Sequence, residues 1–482
     1  MTLLYVTTAI PYVNAAPHLG HALELVQADV LARHARLRGR PTRFLTGTDD
    51  NAFKNVTAAR AAGVPVADFV ARNAERFRGL RAPLSLSFDD FIRTGTDPRH
   101  RAGVAALWRA CAERGDFYQR EYHGLYCGGC EQFWAAGELI EGRCPEHGVA
   151  PEPVTERNWF FRLSRYQDQI LDLLESGTLR VEPEARRQEV LAFVRAGLSD
   201  FSVSRPAARA GGWGIPVPGD PGQVIYVWWD ALANYVTALE GPDYDRWWTA
   251  PGERTHVIGK GITRFHTVYW PALLLSAGRP LPSRILVHDY LTVEGAKLSK
   301  SSGNTVDPVA LATRYGTDAL RWWLLSEVAP LGDTDFTESR LIRRADQDLA
   351  HGLGNLVNRT LTLAHRHRKG HLTGTPEPLS PDLPATIDRA VAAFNLRAAT
   401  AAIREAVSAA NRYIDHHRPW ELPPSFDTTV ATLVDTCRRI TTELTPFLPD
   451  AAARLTPQLG AGPHVGAPTP AFRKLTHPAN TH

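Results

Sequence analysis

Two histidines three residues apart, His18 and His21, stand where an apolar, β-branched run ends and helical spacing begins. The run is Leu3 to Thr8, Pro11-Tyr12 closes it, and Ala22 to Leu31 carries apolar residues at helical period. A helix N-terminus exposes backbone N–H groups and the positive end of its dipole, so it attracts anions. Residues three apart share a face, and Gly20 lets a flat group approach the backbone. The chemistry suggested is capture of a nucleotide triphosphate, although an ordinary helix start with two surface histidines gives the same pattern. Far along the chain, Gly295-Ala296-Lys297-Leu298-Ser299-Lys300-Ser301-Ser302-Gly303-Asn304 sets two lysines three apart in a glycine-flanked loop. Lysines there are compact charges for phosphate that a mobile loop can swing in.

A third group reads as a metal site. Cys127-Gly128-Gly129-Cys130 and Cys144-Pro145-Glu146-His147 form a C-x2-C, thirteen-residue, C-x2-H pattern. Two knuckles with two ligands each suit one tetrahedral Zn²⁺ per chain, a structural staple with no position open for chemistry. A redox Cys-x-x-Cys is the alternative, but it leaves Cys144 and His147 unexplained. Cys111 and Cys437 stand alone in apolar helical surroundings and read as small buried hydrophobes.

Together the histidine and lysine stretches resemble the HIGH and KMSKS motifs of class I aminoacyl-tRNA synthetases, with Leu298 at the methionine position. Ala9-Ile10-Pro11-Tyr12-Val13-Asn14, Thr46-Gly47-Thr48-Asp49, Tyr226-Val227-Trp228 to Tyr235, and Phe265-His266 to Trp270-Pro271 resemble the methionyl-tRNA synthetase family. The resemblance runs from about Leu4 to Trp420. It implies ATP bound by His18, Gly20, His21, Glu24, Lys297, Ser299 and Lys300, with Mg²⁺ on the phosphates; His18, His21, Lys297 and Lys300 are the catalytic set. It implies L-methionine held by Asp49 through its amino group and by Ile10, Tyr12, Trp228, Ala231, Leu232, Tyr235, Ile262, His266 and Trp270. It implies tRNA(Met) read at its anticodon by Asn355, Arg359, Asn411 and Trp420. Three departures stand out: Asp50-Asn51-Ala52 where the family usually has Glu-His-Gly, Gly261 where it has Asp, and Asp289 where it has Gly.

These residues need a scaffold. Strand, helix, strand at the N-terminus, with Arg43 to Asp49 as the second strand, argues for a doubly wound parallel sheet with ligands at the strands' carboxyl ends. With the resemblance, the expected fold is α/β: a Rossmann-like doubly wound parallel sheet, to which the family adds a zinc-knuckle insertion and a C-terminal α-helical anticodon-binding bundle. The expected divisions are a first catalytic half at 1–114, an insertion at 115–200, a second catalytic half at 201–275, a lysine-loop and stem-contact region at 276–335, and a helical domain at 336–482. Val224 to Trp229 reads as a continuous buried strand. Four prolines between 372 and 385 make an irregular connection, two or three alanine-rich helices follow, and a Pro, Gly and Ala-rich tail begins near 455.

Bulk properties narrow the function. A chain of 482 residues exceeds one core, and 44% hydrophobic with 22% charged residues is ordinary globular composition. A net charge of +3 is weak for a nucleic-acid binder, so any RNA footprint must be local. Five cysteines argue against a secreted disulfide scaffold, and no basic leader or apolar run of about 18 residues appears. These properties point to a cytoplasmic enzyme with no membrane association, and the resemblance implies a monomer that activates methionine with ATP and joins it to tRNA(Met). Competing readings are a paralogue activating methionine or an analogue for a specialised pathway, and a non-catalytic tRNA-binding protein. Met1 is the only methionine, which suggests a chain selected for translation when charged methionyl-tRNA is scarce.

Overall fold

The computed structural model describes residues 2–297 and 305–475, with Gln132, Ala296 and Lys297 described by their backbone alone. The chain divides into two compact units. The first comprises Met1–Pro17, Arg40–Gly79 and Phe88–His288, the second His18–Gly39, Leu80–Ser87 and Asp289–His482.

The first unit is built on a six-stranded sheet: β1 (Leu3–Thr8), β2 (Thr42–Thr48), β3 (Asp90–Arg93), β4 (Arg180–Glu182), β5 (Gly252–Gly259) and β6 (Arg284–His288). Its order is β3-β2-β1-β5-β6-β4 and every pairing is parallel. Strands covered on both faces must be apolar nearly throughout, as Leu4-Tyr5-Val6 and Ile285-Leu286-Val287 are. The winding reverses between β1 and β5, and such a reversal opens a ligand crevice at the carboxyl ends. Tyr5, Leu45, Ile92, Ile258 and Ile285 share one core with Val104, Trp108, Trp229, Trp248 and Trp270. Each such side chain contributes about 1.5–3 kcal/mol by leaving water.

After β3 the chain builds an antiparallel sheet, ordered Gln132–Trp134, Phe117–Cys127, Glu152–Phe161, Phe201–Ser202, three strands of which precede β4 and the last of which follows it. Its long hairpin pairs Phe117 with Phe161 and Tyr126 with Glu152, which delivers the first Cys knuckle to the hairpin end. The expected strand at Val224 to Trp229 is corrected. The strand is Asp220–Ile225, and helix α2 occupies Val227–Thr237, α1 being Leu19–Leu37 earlier in the chain. A short apolar run is ambiguous in period; Asp230 in the first turn suits the helix dipole, and Ala-Leu-Ala continues the helix.

The second unit is mainly helical. It includes α1 (Leu19–Leu37), whose Asp29 pairs with the fully buried Arg321 at 2.9 Å. Arg321 also donates to the carbonyls of Leu84 (2.8 Å), Pro446 (3.0 Å) and Phe447 (2.8 Å), so its charge is fully accommodated. Glu338 to Arg368 is helical throughout, with a π-helical stretch at Asp346–Gly354. Among the described residues, four α-helices follow the connection: Leu383–Ala392, Leu396–His417, Phe426–Leu444 and Pro449–Leu459. The last holds Pro457 within it, which is why its sequence reads as tail.

Candidate active site and metal cluster

In the first unit the carboxyl ends of β1 and β2 carry Ile10, Tyr12 and Asp49. Tyr12 and Asp49 form a parallel bridge, and the Asp49 N–H donates to Pro11 O at 2.9 Å. Asp49 is buried, and its Oδ1 accepts the Asn51 N–H at 3.1 Å. Burial pushes its carboxyl well above the ordinary range, and the neighbouring Asp230 and Glu131 carboxyls push it further. A carboxyl so placed favours a cation. Facing requirements for an apolar slot are met by aromatics from other elements. Trp228 lies 6.0 Å from the Tyr12 ring and stacks on Phe265 at 3.9 Å. The Tyr235 hydroxyl donates to His266 Nε2 at 2.7 Å, and His266 Nδ1–H donates to Ile262 O at 2.9 Å. Trp270 lies 6.0 Å from Tyr235. Ala231 and Leu232 are buried on the same helix as Trp228, and Ile10 is buried just past β1. Tyr12 Oη, Trp228 Nε1 and Trp270 Nε1 are buried polar atoms without a hydrogen-bond partner among the described residues. Phe265 was not among the expected pocket residues, although it directly precedes His266.

Desolvation holds His266 down at about 4, and it holds His256 further below the usual range, with His266 next in effect. His256 Nδ1 meets Thr7 Oγ1 at 2.6 Å and its ring stacks on Tyr235. Both rings are therefore neutral in the fold. The unfolded chain binds their protons near 6.5, so the stability they contribute is complete above that pH and is lost as pH falls toward about 4. Urea midpoints should accordingly drop between pH 6.5 and 4. A midpoint that holds level or rises across that window contradicts neutral burial.

Asp50 is a paired structural carboxylate: Arg93 Nη2 stands at 2.9 Å and Thr48 Oγ1 at 2.8 Å. Gly261 lies in a 3₁₀ turn, Lys260–Ile262, and Asp289 in the second unit accepts the Gly332 N–H.

In the second unit, the two histidines build the start of α1. His18 is its N-cap and accepts the Gly20 N–H on Nδ1 at 3.1 Å, while the His18 N–H donates to His21 Nδ1 at 3.0 Å. The rings stack at 3.8 Å. Because both Nδ1 atoms accept, each ring carries its proton on Nε2, giving two N–H donors of fixed tautomer at a helix N-terminus. No acidic residue occupies the first turn to neutralise that end. A Cβ at position 20 would lie 3.0 Å from the His18 ring, so glycine permits the stack. Glu24 follows one turn on, partly buried. Lys297 pairs its backbone with Thr292, whereas Ser299 and Lys300 lie outside the described residues.

The knuckles converge as well. The ligand atoms of Cys127, Cys130, Cys144 and His147 all lie within 4.8 Å of one another. Cys130 and Cys144 sulfurs are 3.7 Å apart, and a tetrahedron of ~2.3 Å metal–sulfur bonds has edges of about 3.8 Å. Trp134 Nε1–H donates to Cys130 Sγ at 3.4 Å, the kind of contact that steadies a thiolate ligand. Gly129 is required here: a Cβ would strike the His147 ring at 2.5 Å. The donor set and spacing fit a tetrahedral thiophilic cation.

In the helical bundle, Arg359 lies over the Trp420 ring at 5.8 Å and pairs with Asp415 at 2.9 Å. Asn355 is exposed on the same helix as Arg359. Asn411 Nδ2 donates to Val407 O at 3.0 Å. Trp420 is 47% exposed, large for an aromatic with no structural need to face water.

An all-parallel sheet reversed at its centre, an inserted knuckle, and a histidine-capped helix in a unit with a helical bundle are the parts of a class I aminoacyl-tRNA synthetase. A family model described as tRNA synthetases class I (M) matches residues 4–152 and 138–361. Methionine–tRNA ligase of Brucella suis is 41% identical over 471 residues, spanning 94% of this chain and 90% of that one. The ligase of Caldanaerobacter subterraneus is 40% identical over 479 residues, spanning 95% and 74%. The solved Mycobacterium tuberculosis methionyl-tRNA synthetase in complex with methionyl-adenylate matches with a TM-score of 0.91 at 38% identity, covering 98% of this chain and 100% of that one. The chain belongs to the methionyl-tRNA synthetase family. Among its described residues no helix is long and apolar enough to cross a membrane.

Proposed function

We propose that the chain is a methionine–tRNA ligase, which activates L-methionine with ATP to methionyl-adenylate and transfers it to tRNA(Met). The observation that carries this reading is Asp49, a buried carboxyl of raised pKa, in a unit that also holds the aromatic pairs Tyr12–Trp228 and Tyr235–Trp270. A carboxylate takes the ammonium of an amino acid, and polarisable aromatic walls suit an unbranched thioether. The methionine carboxylate attacks the α-phosphate in line, and pyrophosphate leaves. His18 and His21 donate Nε2–H groups to the phosphates, and Lys297 and Lys300 add charge as the negative charge spreads. Glu24 and Ser299 belong to the nucleotide site, and Mg²⁺ arrives with ATP. Catalysis on this reading is positioning and electrostatics. Methionine-dependent exchange of pyrophosphate into ATP, followed by charging of tRNA(Met), tests it. Exchange without charging identifies a specialised paralogue, and neither activity removes the reading.

Cys127, Cys130, Cys144 and His147 would hold one Zn²⁺, whose contribution is folding energy rather than chemistry. Burial above all, with the neighbouring cysteines adding to it, raises the Cys130 and Cys144 thiols, which a bound cation must overcome by holding them as thiolates. Purified protein should contain about one zinc per chain, and Cys144→Ala should lose zinc and thermal stability together. Metal-free protein of unchanged stability would count against the staple.

Trp420 is assigned to stacking on an anticodon base, with Arg359, which lies over its ring, and with Asn355 and Asn411 assigned to the same role. Trp420→Ala should leave pyrophosphate exchange intact and weaken charging by about 1–3 kcal/mol, the worth of one stacked base. Equal losses in both steps would make Trp420 a packing residue. The protein is assigned to the cytoplasm as a monomer.

A further inference from the structure

Beside the Asp49 turn lies a chain of buried and partly buried polar groups that the proposed reaction does not use. Asp230 is fully buried, yet it sits in α2 between Trp228 and Ala231, two residues of the apolar wall. Both of its oxygens are engaged. Oδ1 accepts from His100 Nε2 at 2.6 Å, and Oδ2 accepts from Asn51 Nδ2 at 2.7 Å. His100, itself fully buried, meets Thr237 Oγ1 through Nδ1 at 2.7 Å, so the last turn of α2 anchors the far end. Asn51 works in two directions. Its backbone N–H holds Asp49 Oδ1 at 3.1 Å, and its side chain holds Asp230, with a further contact to Thr94 O at 3.3 Å. One residue thus joins the carboxyl that would take the amino group to the helix that would wall the side chain.

A buried carboxylate is rarely the cheapest way to stabilise a fold, since well-packed apolar groups often do as well. Its hydrogen bonds do have direction, and direction fixes a distance. We infer that Asn51, Asp230 and His100 are positioning residues that set the length of amino-acid side chain accepted, by fixing the Asp49 turn against α2. The inference deepens the proposed function and rests on it. Cutting the tie lets the turn and the helix relax apart by tenths of an ångström, which a pocket selecting by one methylene registers directly.

The test compares methionine with its one-methylene-longer homologue ethionine in pyrophosphate exchange. Asn51→Ser removes the amide and keeps the backbone donor to Asp49. KM for methionine should rise about ten-fold with kcat nearly unchanged, and the kcat/KM preference for methionine over ethionine should fall about ten-fold. Thr237→Val, which keeps volume and removes only the outer partner of His100, should shift the same preference in the same direction by a smaller factor. It serves as the deciding variant if Asn51→Ser does not fold. An unchanged preference in the folded variants, whether or not kcat drops, makes the chain of bonds merely structural and overturns the inference alone. Absence of methionine-dependent exchange in the unsubstituted protein overturns the functional reading and this inference together.

Discussion

Asp49→Asn is expected to raise the KM for methionine by about 10²–10³-fold in pyrophosphate exchange while KM for ATP stays nearly constant. Removing one partner of a buried charge pair costs about 2–5 kcal/mol, and each ~1.4 kcal/mol is ten-fold. The asparagine preserves volume and can still accept the Asn51 N–H, so the loss isolates the charge. The environment of Asp49 adds a pH signature. Burial, then Asp230 and Glu131, raises its carboxyl when no ammonium is present. An arriving ammonium favours the ionised form and lowers that pKa again, so binding releases a proton in the window between the two values. Methionine affinity should therefore weaken as pH falls, and the binding enthalpy should vary with the ionisation enthalpy of the buffer. In the asparagine variant both dependences should vanish. Tight, pH-independent methionine binding by the variant would remove Asp49 from the site.

His21→Ala is expected to lower the rate of adenylate formation by about 10²–10³-fold with methionine affinity unaffected, because the donor acts on charge that develops only in the transition state. His21 also caps: its Nδ1 accepts the His18 N–H. Losing a cap costs only about 0.5–2 kcal/mol of stability, which a thermal melt reads separately. A loss confined to stability, with single-turnover rates unchanged, would reduce His21 to a cap. Rates that fall together with methionine affinity would mean that the α1 terminus carries ground-state binding instead.

What the amino-acid sequence determined by itself is what depends on near neighbours. A His-x-x-His at a strand-to-helix junction must share a face, whatever the rest of the fold does. Two Cys-x-x-ligand knuckles each place two donors in one turn, and the 3.7 Å between Cys130 and Cys144 sulfurs follows once a hairpin brings the knuckles together. The parallel sheet was likewise legible, because strands buried on both faces must be apolar along their length. Tertiary structure decided what depends on distant partners. It placed Trp228 on a helix rather than a strand, since a short apolar run is compatible with either until the surroundings are packed. It brought Asp230 to His100, 130 residues away, and to Asn51, 179 away; no local pattern marks Asp230 as the junction of the two. It gave the buried Arg321 an aspartate on α1 and carbonyls from two loops. Propensity, capping and turn chemistry act over a few residues and can be read in order, whereas a buried charge is tolerable only where the completed fold supplies its partners.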